Sequence, residues 1–333
     1  MTVRYTVLVL LVLLVSAGVI VRVYDVGGGD ERSAAVGADV AHAGAKPKPP
    51  PPPYASAPAR VPLRLRFKHA PAAAMLFDVR TGRVLWARRP YARRPMASLA
   101  KMMTAIVVDD RARYSERVRI TPEAKAEPGS AVGLLAPGRR VRLRLLMYGL
   151  MLPSGNDAAV ALAQHVGGTV KGFVDDMNVE ARSLGLRCSH FSSPDGYEDR
   201  GNTSCARDLA VLAHEVLRRP RLAKITHTHY ISFPSLIPHT DKVRGRELTV
   251  WKPGRLYLAG HNPLLRSGYP GTTGIKTGYT DAAGRCFVGT ARRGRRHLGV
   301  VLLHSPDPGG QASRILDRGF RALAQSHRRP APG

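Results

Sequence analysis

The sequence predicts an α+β fold: an antiparallel β-sheet flanked by helices, with a helical lobe, preceded by an N-terminal transmembrane helix and a Pro-rich linker. Three observations predict it. Strand-like runs stand at both ends of the body, a long stretch of helical periodicity separates them, and an uncharged apolar segment followed by a proline run precedes both. With 333 residues and 44% hydrophobic composition, the chain has enough apolar side chains to bury a sizeable core.

At the N-terminus, Arg4 is followed by seventeen residues without a charge, Tyr5 to Val21, and then by Arg22. This pattern is an export signal. Seventeen residues are short for a membrane span, which keeps a cleaved signal peptide open. No convincing small-x-small site lies between Ser16 and Val23, which favours a signal anchor over residues 1–26. The expected location is the extracytoplasmic face of the membrane, or secretion if the signal is cleaved. Residues 27–66 are rich in Pro, Ala and Gly, with Lys46-Pro47-Lys48 leading into Pro49 to Pro53. No core forms from that composition, and a polyproline II stalk rising about 3 Å per residue is the expectation. The body is placed at 67–325 and a disordered tail at 326–333.

Within the body, Ala72 to Asp78 and Val84 to Trp86 read as a β-hairpin turning at Thr81-Gly82. Ser98 to Asp110 carries Leu99, Met102, Met103, Ile106 and Val107 at helical spacing, so a helix opens at or just before Ser98. Helices follow over Asp157 to Val166, Val170 to Leu184 and Cys205 to Leu217. Strands return at Gly274 to Tyr279, Arg285 to Ala291 and His297 to His304, the last two joined by an Arg292-Arg293-Gly294 turn. A closing helix spans about Gly310 to Ala324.

The chain holds 51 Lys+Arg against 24 Asp+Glu, a formal net charge of +27 that attracts polyanions such as nucleic acid, anionic lipid or wall polymers. Charge alone does not choose among them. The excess is mostly Arg in ones and twos (Arg88, Arg89, Arg93, Arg94, Arg139, Arg140, Arg292, Arg293, Arg295, Arg296), without interleaved aromatics or a nucleic-acid motif. It reads as a solvated basic surface, and no nucleic-acid partner is expected. Cys188, Cys205 and Cys286 show no metal-ligand spacing, so no metal site is expected. Export permits a Cys188–Cys205 disulfide across a Gly/Asp/Asn-rich loop, with two free thiols as the alternative, and Cys286 reads as a small buried hydrophobe.

Three short motifs carry chemistry. Ser98-Leu99-Ala100-Lys101 puts an amine and a hydroxyl three residues apart, on one helical face. A serine hydroxyl becomes a nucleophile when a neighbour takes its proton, and a lysine takes it when desolvation lowers its pKa. Ser154-Gly155-Asn156, after Met151-Leu152-Pro153, presents a hydroxyl and a carboxamide on a turn. Lys276-Thr277-Gly278 sets a cation and a hydroxyl on a strand beside a glycine that admits a substrate backbone. Each alone has an ordinary structural reading: a helix cap with a solvated lysine, a loop cap, an edge-strand lysine. The trio in this order is specific.

Together with Ser154-Gly155-Asn156-Asp157-Ala158-Ala159, Phe191-Ser192-Ser193-Pro194-Asp195-Gly196, Ala206-Arg207-Asp208-Leu209-Ala210 and His261-Asn262, these motifs give a dense match over roughly Ala70 to Ala324. The sequence resembles the low-molecular-weight penicillin-binding proteins of the D-alanyl-D-alanine carboxypeptidase type, with the β-lactamase/transpeptidase-like fold. The resemblance implies that Ser98 attacks the penultimate D-alanine carbonyl of a peptidoglycan stem peptide ending in D-Ala-D-Ala, with Lys101 as proton acceptor. It implies that Ser154 and Lys276 relay a proton to the leaving amine, that Asn156 binds the peptide backbone and that Thr277 holds the terminal carboxylate. Gly278 and Tyr279 complete the substrate site, the Ser98 and Tyr279 amides form the oxyanion hole, and Arg296 helps bind the carboxylate. β-Lactams would acylate Ser98, no cofactor is needed, and a monomer is expected. The chain stops soon after the closing helix, so the β-rich C-terminal domain that some relatives carry is expected to be absent, with the N-terminal segment taking over anchoring. Ala100 and Tyr279 depart from residues common at those positions, without removing the groups the chemistry uses.

The competing readings are a D,D-endopeptidase or a β-lactamase of the same fold, and a non-catalytic wall-binding protein. Glu180 and Glu198 follow the Ser154 motif, but neither sits in a loop pattern that positions a deacylating water. An idle binding protein has no use for Ser98, Lys101, Ser154, Asn156 and Lys276 together.

Overall fold

A computed structural model describes residues 63–197, 201–243 and 246–326. The anchor expected at 1–26 and most of the linker expected at 27–66 lie outside the described residues, as does almost all of the 326–333 tail. Among the described residues, no helix is long and apolar enough to cross a membrane.

In chain order the strands are β1 Ala73–Asp78, β2 Val84–Arg88, β3 Arg94–Pro95, β4 Arg117–Arg119, β5 Arg140–Arg142, β6 Thr203–Ser204, β7 Tyr230–Val243, β8 Arg246–Ala259, β9 Thr272–Thr280, β10 Gly284–Arg293 and β11 Arg296–Leu303. The α-helices are α1 Lys101–Arg111, α2 Pro122–Ala126, α3 Leu143–Met151, α4 Asn156–Gly167, α5 Val170–Ser183, α6 Ala206–Arg218, α7 Pro220–His227, α8 Pro263–Arg266 and α9 Pro308–Ser326. The main sheet is antiparallel with order β2-β1-β11-β10-β9, so the first and last segments of the body lie side by side and β9 forms one edge.

Both faces of this sheet are apolar, and the two-residue period of a strand explains how. Ala74 and Leu76 of β1, with Leu298, Val300 and Leu302 of β11, face α9, which presents Ala312, Ile315, Leu316, Phe320 and Leu323 at helical spacing. The intervening Met75, Phe77, Val301 and Leu303 face the helical lobe. Fully burying a side chain such as Phe77 stabilises the fold by about 2–3 kcal/mol. At the centre of the lobe, α1 is buried from Lys101 through Asp109, and this explains why Met102, Met103, Ala105, Ile106, Val107 and Val108 leave it no single apolar stripe.

The hairpin at 72–86, the helices at 157–217, the three late strands and the closing helix stand where the sequence placed them, with ends shifted by a few residues. The turn expected at Arg292-Arg293-Gly294 starts later, because β10 runs on to pair Arg293 with Arg296. One large element was not expected: β7 and β8 pair over fourteen residues each into a long two-stranded ribbon. Pro234, Pro238 and Pro253 interrupt its pattern. A two-stranded ribbon has an open edge on each strand, where a residue without an N–H costs no ladder bond. Cys188 and Cys205 are joined in a disulfide with Cα atoms 5.6 Å apart, while Cys286 is buried in β10 outside the bridge.

Candidate active site

Ser98 lies in a short 3-10 turn, Ala97–Ala100, that feeds directly into α1, so the nucleophile candidate precedes the α-helix proper and Lys101 is its first residue. Ala97 adopts φ 50°, a conformation costly for a residue with a Cβ. Two packed segments hold that turn. Gly196, at φ 77°, lies so close that a Cβ there would overlap the Ala97 carbonyl. On the other side is Gly278 of β9, where a Cβ would sit 3.0 Å from the Ser98 nitrogen and 3.2 Å from the Leu99 nitrogen. The space that Gly278 leaves also admits the Ser98 turn, so the edge strand docks against the nucleophile.

Lys101 is fully buried, and its Nζ lies 3.0 Å from Ser98 Oγ. Two further oxygens take its protons, Asn156 Oδ1 at 2.7 Å and the Asp195 carbonyl at 2.6 Å. A neutral amine has two N–H bonds and one lone pair. Both neighbours only accept, so the lone pair is left facing the Ser98 hydroxyl. Burial pulls the Lys101 pKa down to about 8, against the opposing pull of the Asp195, Asp157 and Glu127 carboxylates. Glu127 is in turn pushed up, first by burial and then by the Asp195 charge.

Asn156 opens α4, and the chain just before it carries Ser154 at φ 66°. The Asn156 carboxamide is oriented by donating to the Pro128 carbonyl at 2.6 Å, which turns Oδ1 toward Lys101. Its neighbour Asp157 accepts from the Val132 and Gly133 amides at 2.9 and 3.0 Å and so pins the 128–133 loop that holds Asn156. Ser154 Oγ accepts from Lys276 Nζ at 2.9 Å, and that amine also donates to the Thr277 carbonyl at 2.8 Å. Burial, and then the charge of Lys101, depress the Lys276 pKa well below the usual lysine range. The contacts close a ring: Ser98 to Lys101, Lys101 to Asn156, two residues back to Ser154, Ser154 to Lys276, two residues on to Gly278, and Gly278 to Ser98.

Thr277 is half-buried, and it lines a small depression with Met151, Leu152 and His261. The Tyr279 side chain is 63% exposed and donates to Asp281 at 2.9 Å, leaving only its backbone beside the site. Arg296 does not join. Lys276 pairs with Val288 and Val288 with Val301, five residues from the Arg293–Arg296 pair, or about 17 Å along the strand. Arg296 instead lines a basin with Asp78, Arg80, Arg83 and Arg295 at the far end of the sheet. The pairing register, invisible in the Arg-rich turn, decides this.

Sequence reasoning gave no role to Asp195, Asp157 or Pro128, of which Asp195 and Pro128 act through backbone carbonyls. Asp195 and Asp157 lay inside quoted motifs, but no residue type announces that a main-chain oxygen is aimed at an amine. Glu180, weighed as a water activator, sits on α5 with its carboxylate accepting from Ser183 at 3.1 Å, and Glu198 lies outside the described residues.

Comparison with known proteins points to one family. Residues 59–307 match the family described as D-alanyl-D-alanine carboxypeptidase. D-alanyl-D-alanine carboxypeptidase DacF of Bacillus subtilis is 31% identical over 260 residues, 76% of this chain and 62% of DacF, so the match spans less than two thirds of that relative. DacB2 of Mycobacterium tuberculosis is 34% identical over 258 residues, 75% of this chain and 82% of DacB2. Among solved structures, a variant of a Streptomyces DD-transpeptidase superposes with TM-score 0.68 at 31% identity, over 77% of this chain and 100% of that one. A D-alanyl-D-alanine carboxypeptidase from Mycobacterium tuberculosis superposes with TM-score 0.65 at 31% identity, over 82% and 96%. With its serine, two lysines and asparagine closed into one ring on the fold these proteins share, the chain belongs to the D-alanyl-D-alanine carboxypeptidase family of serine peptidases.

Proposed function

We propose that the protein is a serine D,D-carboxypeptidase that removes the terminal D-alanine from peptidoglycan stem pentapeptides, outside the cytoplasmic membrane, to which residues 1–26 anchor it. One observation carries the reading. Burial lowers the pKa of the Lys101 amine to about 8, and in the neutral form this makes accessible, Asn156 and Asp195 occupy both N–H bonds and the lone pair faces the Ser98 hydroxyl.

Ser98 Oγ attacks the penultimate D-alanine carbonyl as its proton passes to Lys101. The Ser98 and Tyr279 amides receive the oxyanion, and prepositioned donors of this kind are worth about 3 kcal/mol each. The C–N bond then breaks, and the departing D-alanine amine takes a proton through the Lys276–Ser154 pair. Asn156 holds the stem-peptide backbone and Thr277 the terminal carboxylate, with the substrate lying along the open edge of β9. Water hydrolyses the Ser98 ester and frees the enzyme. A β-lactam presents the same carboxylate and amide but keeps its leaving nitrogen tethered, so its acyl-enzyme persists.

D-alanine release from a pentapeptide ending in D-Ala-D-Ala tests the assignment. The wild-type chain releases it and Ser98→Ala does not; a wild-type chain that releases none would overturn the reading.

A further inference from the structure

A deep concavity on the helical lobe shares no lining residue with the catalytic ring. It lies between the β4–β5 ribbon and the start of β7, with a volume of about 670 Å³. The ribbon pairs Arg117 with Arg142 and Arg119 with Arg140, while Val118 and Val141 between them turn to the core side. Like charges directly opposite each other on a two-stranded ribbon repel. Arg139 and Arg144 flank the same groove, and all six arginines are exposed. Among the described residues none of the six forms an ion pair. The nearest acid in sequence, Glu116, is already held by His165 at 2.9 Å and by the Arg113 amide at 2.7 Å. A second depression shares Arg117 and Arg140 and adds Arg119, extending the cationic rim.

The floor of the groove is of the opposite character. Leu134, Val141, Leu145, Ile231 and Phe233 line it, and Arg144 lies over the Tyr148 and Phe233 rings at 5.9 Å. The β7–β8 face that carries Ile231 and Phe233 runs on through Ile237, Val250 and Leu248, the last two 37% and 49% exposed. An apolar trough under a guanidinium rim has two complements in one molecule: a phosphate for the planar bidentate donors and a hydrocarbon chain for the floor. A hydrophilic phosphodiester polymer satisfies the rim and leaves the floor wet.

We propose that this groove binds an anionic phospholipid, its phosphate on Arg117, Arg140 and Arg142 and an acyl chain in the trough, so that the helical lobe docks on the membrane surface independently of the N-terminal segment. The site shares no side chain with the catalytic ring. The 128–139 segment links them, since Pro128 orients Asn156 while Leu134 and Arg139 line the groove.

The full chain in an uncharged detergent is titrated with dihexanoylphosphatidylglycerol, with dihexanoylphosphatidylcholine, and with glycerophosphoglycerol, which has the headgroup and no acyl chains. Binding is read by calorimetry. The phosphatidylglycerol binds, the other two bind at least about tenfold more weakly, and R117Q/R140Q/R142Q lowers the affinity by about a hundredfold, at roughly tenfold or less per arginine. Fluorescent-penicillin labelling of that variant stays at the wild-type rate, which shows that it is folded. Equal binding of the choline lipid, or an unchanged triple variant, overturns the proposal. Equal binding of glycerophosphoglycerol also overturns it, in favour of a bare phosphate polymer.

Discussion

Raising the pH from 6 to 9 should accelerate acylation of Ser98, and the size of the effect follows from Lys101. Its pKa is drawn down to about 8 by burial. The neutral amine, the form with a lone pair for the Ser98 proton, is then about one molecule in a hundred at pH 6, about one in eleven at pH 7, and half at pH 8. The second-order rate of acylation should rise about tenfold between pH 6 and 7, about fivefold between 7 and 8, and less than twofold between 8 and 9. Single-turnover mixing with a fluorescent penicillin, quenched and resolved by electrophoresis, measures it across that range. Lys101→Arg keeps a permanent charge at the site and should lose about 10²- to 10⁴-fold of the rate together with the pH dependence. A rate that is flat or falling from pH 6 to 8 in the wild-type chain would refute the role given to Lys101.

Other consequences are as specific. Ser154→Ala removes the acceptor of the Lys276 amine and should slow acylation by about 10²-fold or more without changing the circular dichroism; a wild-type rate would remove Ser154 from the relay. In Gly278→Ala the new methyl lies 3.0 Å from the Ser98 nitrogen, so the turn must move by tenths of an ångström. At roughly a hundredfold per ångström of misplacement, acylation should slow by up to about tenfold in a protein that stays folded, and an unaffected rate would show that β9 does not position Ser98. Replacing Cys188 and Cys205 together by serine opens a loop with a sequence separation of 17 and should cost about 3 kcal/mol in denaturant unfolding, with penicillin labelling retained at low temperature. An unchanged midpoint would place the bridge outside the stability of the fold.

The catalytic ring was largely legible in the sequence because its chemistry sits in short local patterns. Ser98 and Lys101 are one turn apart, Ser154 and Asn156 share one loop, and Lys276, Thr277 and Gly278 are consecutive. The periodicity of α1, α4, α5 and α6 was legible for a similar reason, since each buries one broad face or more. What failed to show was set by tertiary register. The place of Arg296 depends on how β10 pairs with β11, and a one-dimensional string of arginines carries no register. The β7–β8 ribbon was hidden because its three prolines oppose a strand assignment that only a free edge makes tolerable. The Asp195 oxygen that accepts from Lys101 and the Pro128 oxygen that orients Asn156 are main-chain carbonyls, which every residue has. The charge of the arginine ribbon was visible, but scattered pairs read as solvated surface until β4 and β5 set four guanidiniums opposite one another.

The most direct test of the ring is the mass of the intact protein after reaction with benzylpenicillin, followed by peptide mapping. A single adduct per chain is expected, located on the peptide that contains Ser98 and absent from Ser98→Ala. An unmodified chain, or an adduct on a different serine, would contradict it.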